Sequence, residues 1–352
     1  MWLETSVFAQ DLEAFCAAEF IPWERLKGKN VFVTGATGLI GYTLVSGLIY
    51  ANRKRGLDLQ IVALVRSLPR AQKKYAAQLE SGMELTFVEG AVENLPELPG
   101  KIDYVIHGAS QTASRAFVEQ PVETICTAVN GTQNILELAR KKQVSGMVYL
   151  SSMEAYGRVE EQNLLQEMDL GYLDSMQLRS SYPQGKRMCE TLCAAYAAEY
   201  GLNISVARLA QTFGAGVSKE DNRVFAQFLR SARAGKEIVL LTKGLSTRMY
   251  VYTMDAALAL VTLLLKGEKG RAYNVANRET YSSVREMAEM VAAEFSVGGK
   301  PVSVQVDEGS GIGKKLYPPD CHLKLDVSAL ESLGWKPTVD LKDMYDRMLQ
   351  AM

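Results

Sequence analysis

Tyr182 and Lys186 stand four residues apart, a spacing that puts both side chains on one face of a helix. An ammonium beside a phenol favours the phenolate, and a phenol so tuned takes a proton from a sugar or alcohol hydroxyl. Alone the pair says little, because Tyr-x-x-x-Lys arises by chance in many helices. Two further segments give it weight. Thr34-Gly35-Ala36-Thr37-Gly38-Leu39-Ile40-Gly41 reads as a strand end, a glycine turn and a helix start. Glycines there let the backbone approach a pyrophosphate, and the helix N-terminus offers it free N–H groups. Ser152-Met153-Glu154, between the two, adds a hydroxyl and a carboxylate. The three together point to oxidation of a hydroxyl, or reduction of a ketone, beside a dinucleotide.

The elements that must position these residues follow from the hydrophobic pattern. Short apolar runs at Val31–Thr34, Gln60–Val65, Glu84–Val88, Tyr104–His107, Gly146–Leu150 and Ile204–Ala207 alternate with helical stretches, among them Thr132–Lys142 and Lys186–Tyr200. Such alternation predicts an α/β protein with a Rossmann-type doubly wound parallel sheet covered on both faces. Its expected span is 28–210, with 248–277 returning to it. Residues 211–247 and 278–352, where the regularity loosens, make a smaller C-terminal lobe. Residues 1–27 read as a leader, helical from Ser6 to Phe20, that covers either the sheet or a partner subunit. At the end of the second strand stands Arg66, where an acidic residue would bind the 2′-hydroxyl of NAD. An arginine there suits the 2′-phosphate, so the cofactor is NAD or NADP with a lean to NADP.

The bulk numbers narrow the class. In 352 residues, 39 Lys+Arg against 40 Asp+Glu leave a net charge of −1, which gives no electrostatic reason to expect nucleic acid or an anionic membrane. Five scattered cysteines read as reduced thiols of a cytoplasmic protein, and two histidines argue against a metal site. The longest apolar stretch, Ala256–Leu265, is too short to span a membrane, and the N-terminus lacks a secretory pattern.

Several separate motifs resemble the extended short-chain dehydrogenase/reductase family, in particular its nucleotide-sugar epimerases, dehydratases and decarboxylases. Thr34 to Gly41 is similar to the family's T-G-A-T-G-F-I-G turn, and Asp103 to Ser110 to its D-x-V-x-H-L-A-A strand. Tyr149 to Gly157 resembles S-S/T-x-x-V-Y-G. Tyr182 and Lys186 match Tyr-x-x-x-Lys, and Thr247 to Asp255 resembles R-x-x-x-V-x-D. The resemblance implies cofactor contacts from Gly35, Thr37, Gly38, Leu39, Ile40, Gly41, Arg66, Ala109, Ser110, Tyr182 and Lys186. It implies substrate contacts from Gln111, Gln211, Arg223 and Arg248 in a substrate-binding lobe. Ser152 would hydrogen-bond the reacting oxygen, Tyr182 would move its proton, Lys186 would hold the nicotinamide ribose, and Glu154 would act as base.

The departures from the pattern bear on the reaction. Where a sugar-nucleotide 4,6-dehydratase has an acid, this chain has Met153; typical 4-epimerases lack the Glu154 that it keeps. UDP-glucuronate decarboxylases carry the nearest arrangement. Ala128, Gly90-Ala91-Val92, Gln211 and Gly214-Ala215-Gly216 also depart from the family residues. The expected activity is modification of a nucleotide sugar through a transient 4-keto intermediate, by epimerisation, decarboxylation or dehydration. An NADPH-dependent ketone reductase and a non-catalytic NAD(P)-binding sensor are the alternatives. The family's pairing through two helices implies a homodimer across about Pro121–Lys142 and Gln184–Tyr200.

Overall fold

The computed structural model describes residues 6–79, 82, 84–98, 100–159, 164–307 and 320–352; the first five residues of the leader lie outside them. In chain order the strands are β1 (Asn30–Thr34), β2 (Gln60–Val65), β3 (Leu85–Glu89), β4 (Tyr104–His107), β5 (Gly146–Ser152), β6 (Leu164–Leu165), β7 (Ile204–Leu209), β8 (Gln211–Phe213), β9 (Ile238–Leu240), β10 (Thr247–Tyr252), β11 (Arg271–Val275), β12 (Asn277–Ser283), β13 (Val304–Val306) and β14 (His322–Leu325). Seven of them form one all-parallel sheet in the order β11-β7-β5-β4-β1-β2-β3. The chain leaves β1 in one direction through β2 and β3, then returns to β4 on the other side. That reversal opens a crevice between the C-terminal ends of β1 and β4, where open α/β sheets take ligands.

Both faces of this sheet are buried, which explains strands that are apolar throughout rather than alternating. Val31 and Val33 of β1 join one core with the helices Leu39–Arg55 and Thr253–Lys266. Phe32, between them, joins the other with Pro121–Lys142 and Ser181–Tyr200. The latter two helices approach closely: a Cβ on Gly185 would lie 3.4 Å from that of Ala128. Both are longer than the sequence pattern indicates. Each begins near a proline in the first turn, where a missing N–H costs nothing.

The leader helix runs from Ser6 to Ala17, stopping three residues short of its expected end. It buries Val7, Phe8 and Phe15, and Phe15 packs against Leu39–Arg55 at Gly47, whose missing Cβ would meet the ring at 2.9 Å. The leader therefore covers this chain's own helical layer. Its Asp11 is buried, accepting hydrogen bonds from the Tyr252 hydroxyl and from Arg347 Nη1 at 2.6 Å.

A second, mixed sheet (β12-β10-β14-β6, with β8 beside β10) grows directly from the C-terminal ends of β7 and β11, the same edge as the crevice. The small pair β9 and β13 and the helices Val224–Arg233, Val284–Glu294 and Leu341–Gln350 complete this region. Among the described residues no helix is long and apolar enough to cross a membrane.

Candidate active site

The helix Ser181–Tyr200 starts just before Tyr182, so Tyr182 and Lys186 do share one helical face, turned toward β5. Lys186 Nζ donates to the Leu150 carbonyl at 2.7 Å and lies 4.9 Å and 5.6 Å from the ring centroids of Tyr149 and Tyr182. Ser152 closes β5, and its Oγ caps the short turn Met153–Tyr156 by accepting from the Glu154 amide at 3.2 Å. That turn lifts Glu154 to the same site while Met153 points into the core. Behind the turn, Ser151 Oγ donates to Glu190 at 2.5 Å, and Glu190 pairs with the buried Arg208 at 2.7 Å.

The electrostatics differ from the sequence expectation. Burial pushes the Tyr182 phenol well above its ordinary value, and the Glu154 carboxylate raises it further. A hydrogen bond with Ser152 and the charge of Arg179 pull it down without overcoming burial. Lys186 does not supply the expected bias toward phenolate. Its ammonium is directed at a carbonyl, and burial lowers its own pKa to about 8, against the opposing pull of Cys189, Glu190 and Cys193.

Arg179 was not legible as a site residue. Its guanidinium reaches both oxygens of Glu154, at 2.9 and 3.1 Å, across 25 residues of chain. It also lies 4.7 Å over the Phe117 ring, which stacks on Tyr182 with centroids 4.3 Å apart and planes 9° from parallel. The sequence offers one signal only, an arginine one helical turn before the tyrosine.

The crevice at β1 and β4 is built for close approach. Gly35 has φ +74°, and a Cβ on it would come within 2.7 Å of the Gly108 backbone; one on Gly41 would lie 2.2 Å from the Gly35 oxygen. Gly38 precedes the helix without a side-chain cap, so the first-turn N–H groups at Leu39, Ile40 and Gly41 stay open, and Thr37 and Gly38 are exposed. The Ala109 amide is tied to Thr34 Oγ1 at 3.1 Å, which keeps the end of β4 against the turn. Beneath it, His107 is buried between Thr34 and Thr132 hydroxyls and held neutral, its pKa lowered to about 3 by burial and by Lys186. These features fit a dinucleotide pyrophosphate. Arg66 is exposed at the end of β2, and among the described residues its side chain has no ion pair or hydrogen bond. Lys74, absent from the sequence reading, donates to the Thr37 carbonyl at 2.7 Å and puts a second cation at the turn.

The expected substrate contacts are in unequal states. Arg248 is half-buried, and among the described residues its guanidinium has no ion pair or hydrogen bond. Gln211, on the strand beside it, buries an Oε1 that has no partner among the described residues. Arg223 is already engaged, by Asp221 at 2.6 Å and the Thr212 carbonyl. Ser110 Oγ donates to the Gln111 carbonyl, and the Gln111 side chain accepts from the amides of Thr112 and Ala113, so both serve their own loop.

A family model described as the NAD dependent epimerase/dehydratase family matches residues 31–276, spanning the crevice, the Ser152–Glu154 turn and the Tyr182 helix. The chain belongs to that family. Among individual relatives it is 29% identical over 323 residues to UDP-glucuronic acid decarboxylase 6 of Arabidopsis thaliana, covering 89% of this chain and 86% of that one. It is 25% identical to dTDP-glucose 4,6-dehydratase of Streptomyces antibioticus, covering 89% of each. Its fold matches a dTDP-glucose 4,6-dehydratase of Streptomyces venezuelae, solved with NAD bound, at a TM-score of 0.73 and 22% identity over 92% of this chain and 96% of that one. The protein is thus an enzyme of the NAD-dependent epimerase/dehydratase family, with a Rossmann-type fold.

Proposed function

We propose that the enzyme acts on a nucleotide sugar through a transient 4-keto intermediate, and that decarboxylation of a hexuronate is the reaction its site fits best. One observation carries this choice. Met153 is buried in the core and has no proton to give, and among the described residues the carboxylate that acts on Tyr182 is Glu154. Expelling a hydroxyl calls for an acid at the leaving group, whereas a β-keto acid loses CO2 without one.

A bound nicotinamide supplies what no side chain can, the acceptance and return of a hydride at one carbon. Tyr182 takes the C4 hydroxyl proton while Ser152 hydrogen-bonds that oxygen. With a ketone at C4, the C5 carboxylate departs as CO2 and its bonding electrons form an enolate. Water held by the ionised Glu154 carboxylate gives C5 its proton, and the hydroxide left behind combines with the departing CO2 as bicarbonate. Tyr182 then gives its proton back to the C4 oxygen as the ketone is reduced, so the cycle has no net redox change. Arg248 suits the substrate diphosphate because a planar guanidinium meets phosphate oxygens at two points, and the unpartnered Gln211 beside it suits the sugar.

Arg66, with Lys74 at the same turn, supports a ribose 2′-phosphate and hence NADP. Dissociation constants for the two cofactors test this, and clearly tighter NAD overturns it. Exposed Val122, Ile125 and Met188 on the helices Pro121–Lys142 and Ser181–Tyr200 support pairing of two copies there; sedimentation as a monomer at micromolar concentration counts against it. The reaction itself is tested by mass spectrometry of products from UDP-, GDP-, CDP- and dTDP-linked sugars and hexuronates. Loss of the mass of CO2 from a hexuronate is expected, and loss of water from a neutral sugar overturns the choice.

A further inference from the structure

The Arg179 guanidinium is clamped between a carboxylate and a ring. Its nitrogen lies 2.9 and 3.1 Å from the two oxygens of Glu154, and its Cζ sits 4.7 Å over Phe117. Phe117 lies flat on Tyr182, and its carbonyl accepts a hydrogen bond of 2.8 Å from Ser181 Oγ at the start of the same helix. Arg179 is thus attached to both groups that the proposed reaction uses in its proton transfers. About a third of each of the Arg179 and Glu154 side chains is exposed, so the pair borders the space a substrate would enter.

That reaction asks two anions to serve one small site. Tyr182 must be free to accept a proton, and Glu154 must be ionised beside it; like charges so placed disfavour each other. Glu154 pushes the phenol up and Arg179 pulls it down, as their positions require. Lys186 is turned to the Leu150 carbonyl, and it is Arg179 that stands in ion-pair contact with Glu154. We infer that Arg179 is a positioning residue that fixes the Glu154 carboxylate and screens Tyr182 from its charge, so that both groups work within one turnover. The inference rests on the nucleotide-sugar reading above.

Holoenzyme variants R179K, R179M, E154Q and the double variant R179M/E154Q test it. The readout is single-turnover oxidation of saturating substrate, followed through the absorbance of the reduced cofactor. R179M is expected to slow that step about tenfold at unchanged KM, because the unscreened Glu154 charge opposes charge development on Tyr182. R179K regains most of the rate, and in the E154Q background R179M costs nothing further, because the charge it screens has gone. A raised KM with an unchanged single-turnover rate makes Arg179 a substrate-binding cation, and equal losses in both backgrounds make it a packing residue; either overturns the inference. A crystal structure of R179M with cofactor bound gives a readout without substrate. There the Glu154 carboxylate is expected to leave its place, and an unmoved carboxylate overturns the inference as well. If the wild-type enzyme oxidises no nucleotide sugar, the proposed reaction fails, and the crystal structure still decides the role of Arg179.

Discussion

Two clusters of titratable side chains, each built around buried members, lie on either side of the main sheet. One joins the leader to the C-terminal helix: Asp11, Tyr252, Arg347 and nearby Asp255. The other is Tyr182, Lys186, Glu154 and Arg179. Burial is the largest influence on the first cluster's acids and on Tyr182 and Lys186 alike; Asp11 rises to about 6, and Lys186 falls to about 8. A perturbed pKa therefore does not separate scaffold from chemistry here. Completeness of bonding does. Asp11 uses one oxygen for Tyr252 and the other for Arg347, while Asp255 accepts from the Thr338 amide and hydroxyl and the Val339 amide. In the second cluster the ammonium makes one hydrogen bond, the phenol leans on a serine, and the ion pair is open to solvent.

The contrast can be broken at either end. Tyr182→Phe is expected to lower turnover by ~10²–10⁴-fold while leaving the cofactor dissociation constant unchanged, checked by steady-state kinetics and fluorescence titration; full activity would remove Tyr182 from the chemistry. Arg347→Met strands the buried Asp11 carboxyl. A loss of about 3 kcal/mol in urea unfolding is expected, with kcat/KM of the folded protein intact. A kinetic defect there would join the two clusters and dissolve the comparison. Arg66→Ala is expected to weaken NADP about tenfold and NAD hardly at all, by one lost charge-assisted contact.

The smallest effects are in the pH dependence of stability, and they have opposite signs. Between pH 3.8 and about 6 the folded chain keeps the Asp11 proton that the unfolded chain has lost, so this group makes stability fall as pH rises. Between about 8 and 10.5 the unfolded chain keeps the Lys186 proton that the folded chain has lost, so that group makes stability rise with pH. Urea midpoints across both windows, repeated on Asp11→Asn and Lys186→Met, should show each slope disappear in its own variant.

What the sequence disclosed follows the range of the interactions. The glycine turn, the Tyr182–Lys186 spacing and the Ser152–Glu154 turn are each contained within a few residues, and their local geometry reads directly. The alternation of strands and helices was legible for the same reason. Arg179 and Glu154 meet only because the turn after β5 and the start of the helix Ser181–Tyr200 face each other, and Phe117 reaches Tyr182 from 65 positions away; no local pattern encodes either contact. The direction of the Tyr182 shift was missed because burial, which a sequence does not display, outweighed the neighbouring cation. Arg223 looked available until its engagement with Asp221, two residues before it, could be seen.

The tie between Asp11 and Arg347 spans 336 residues. During synthesis the leader can settle its phenylalanines on Leu39–Arg55 early, but its acidic group stays without its arginine until residue 347 has been made. A contact of such sequence separation is among the costliest to close and belongs late in folding. The helix Leu341–Gln350 then completes the burial of the leader, and nascent chains stopped before it should remain susceptible to proteases at the helix Ser6–Ala17.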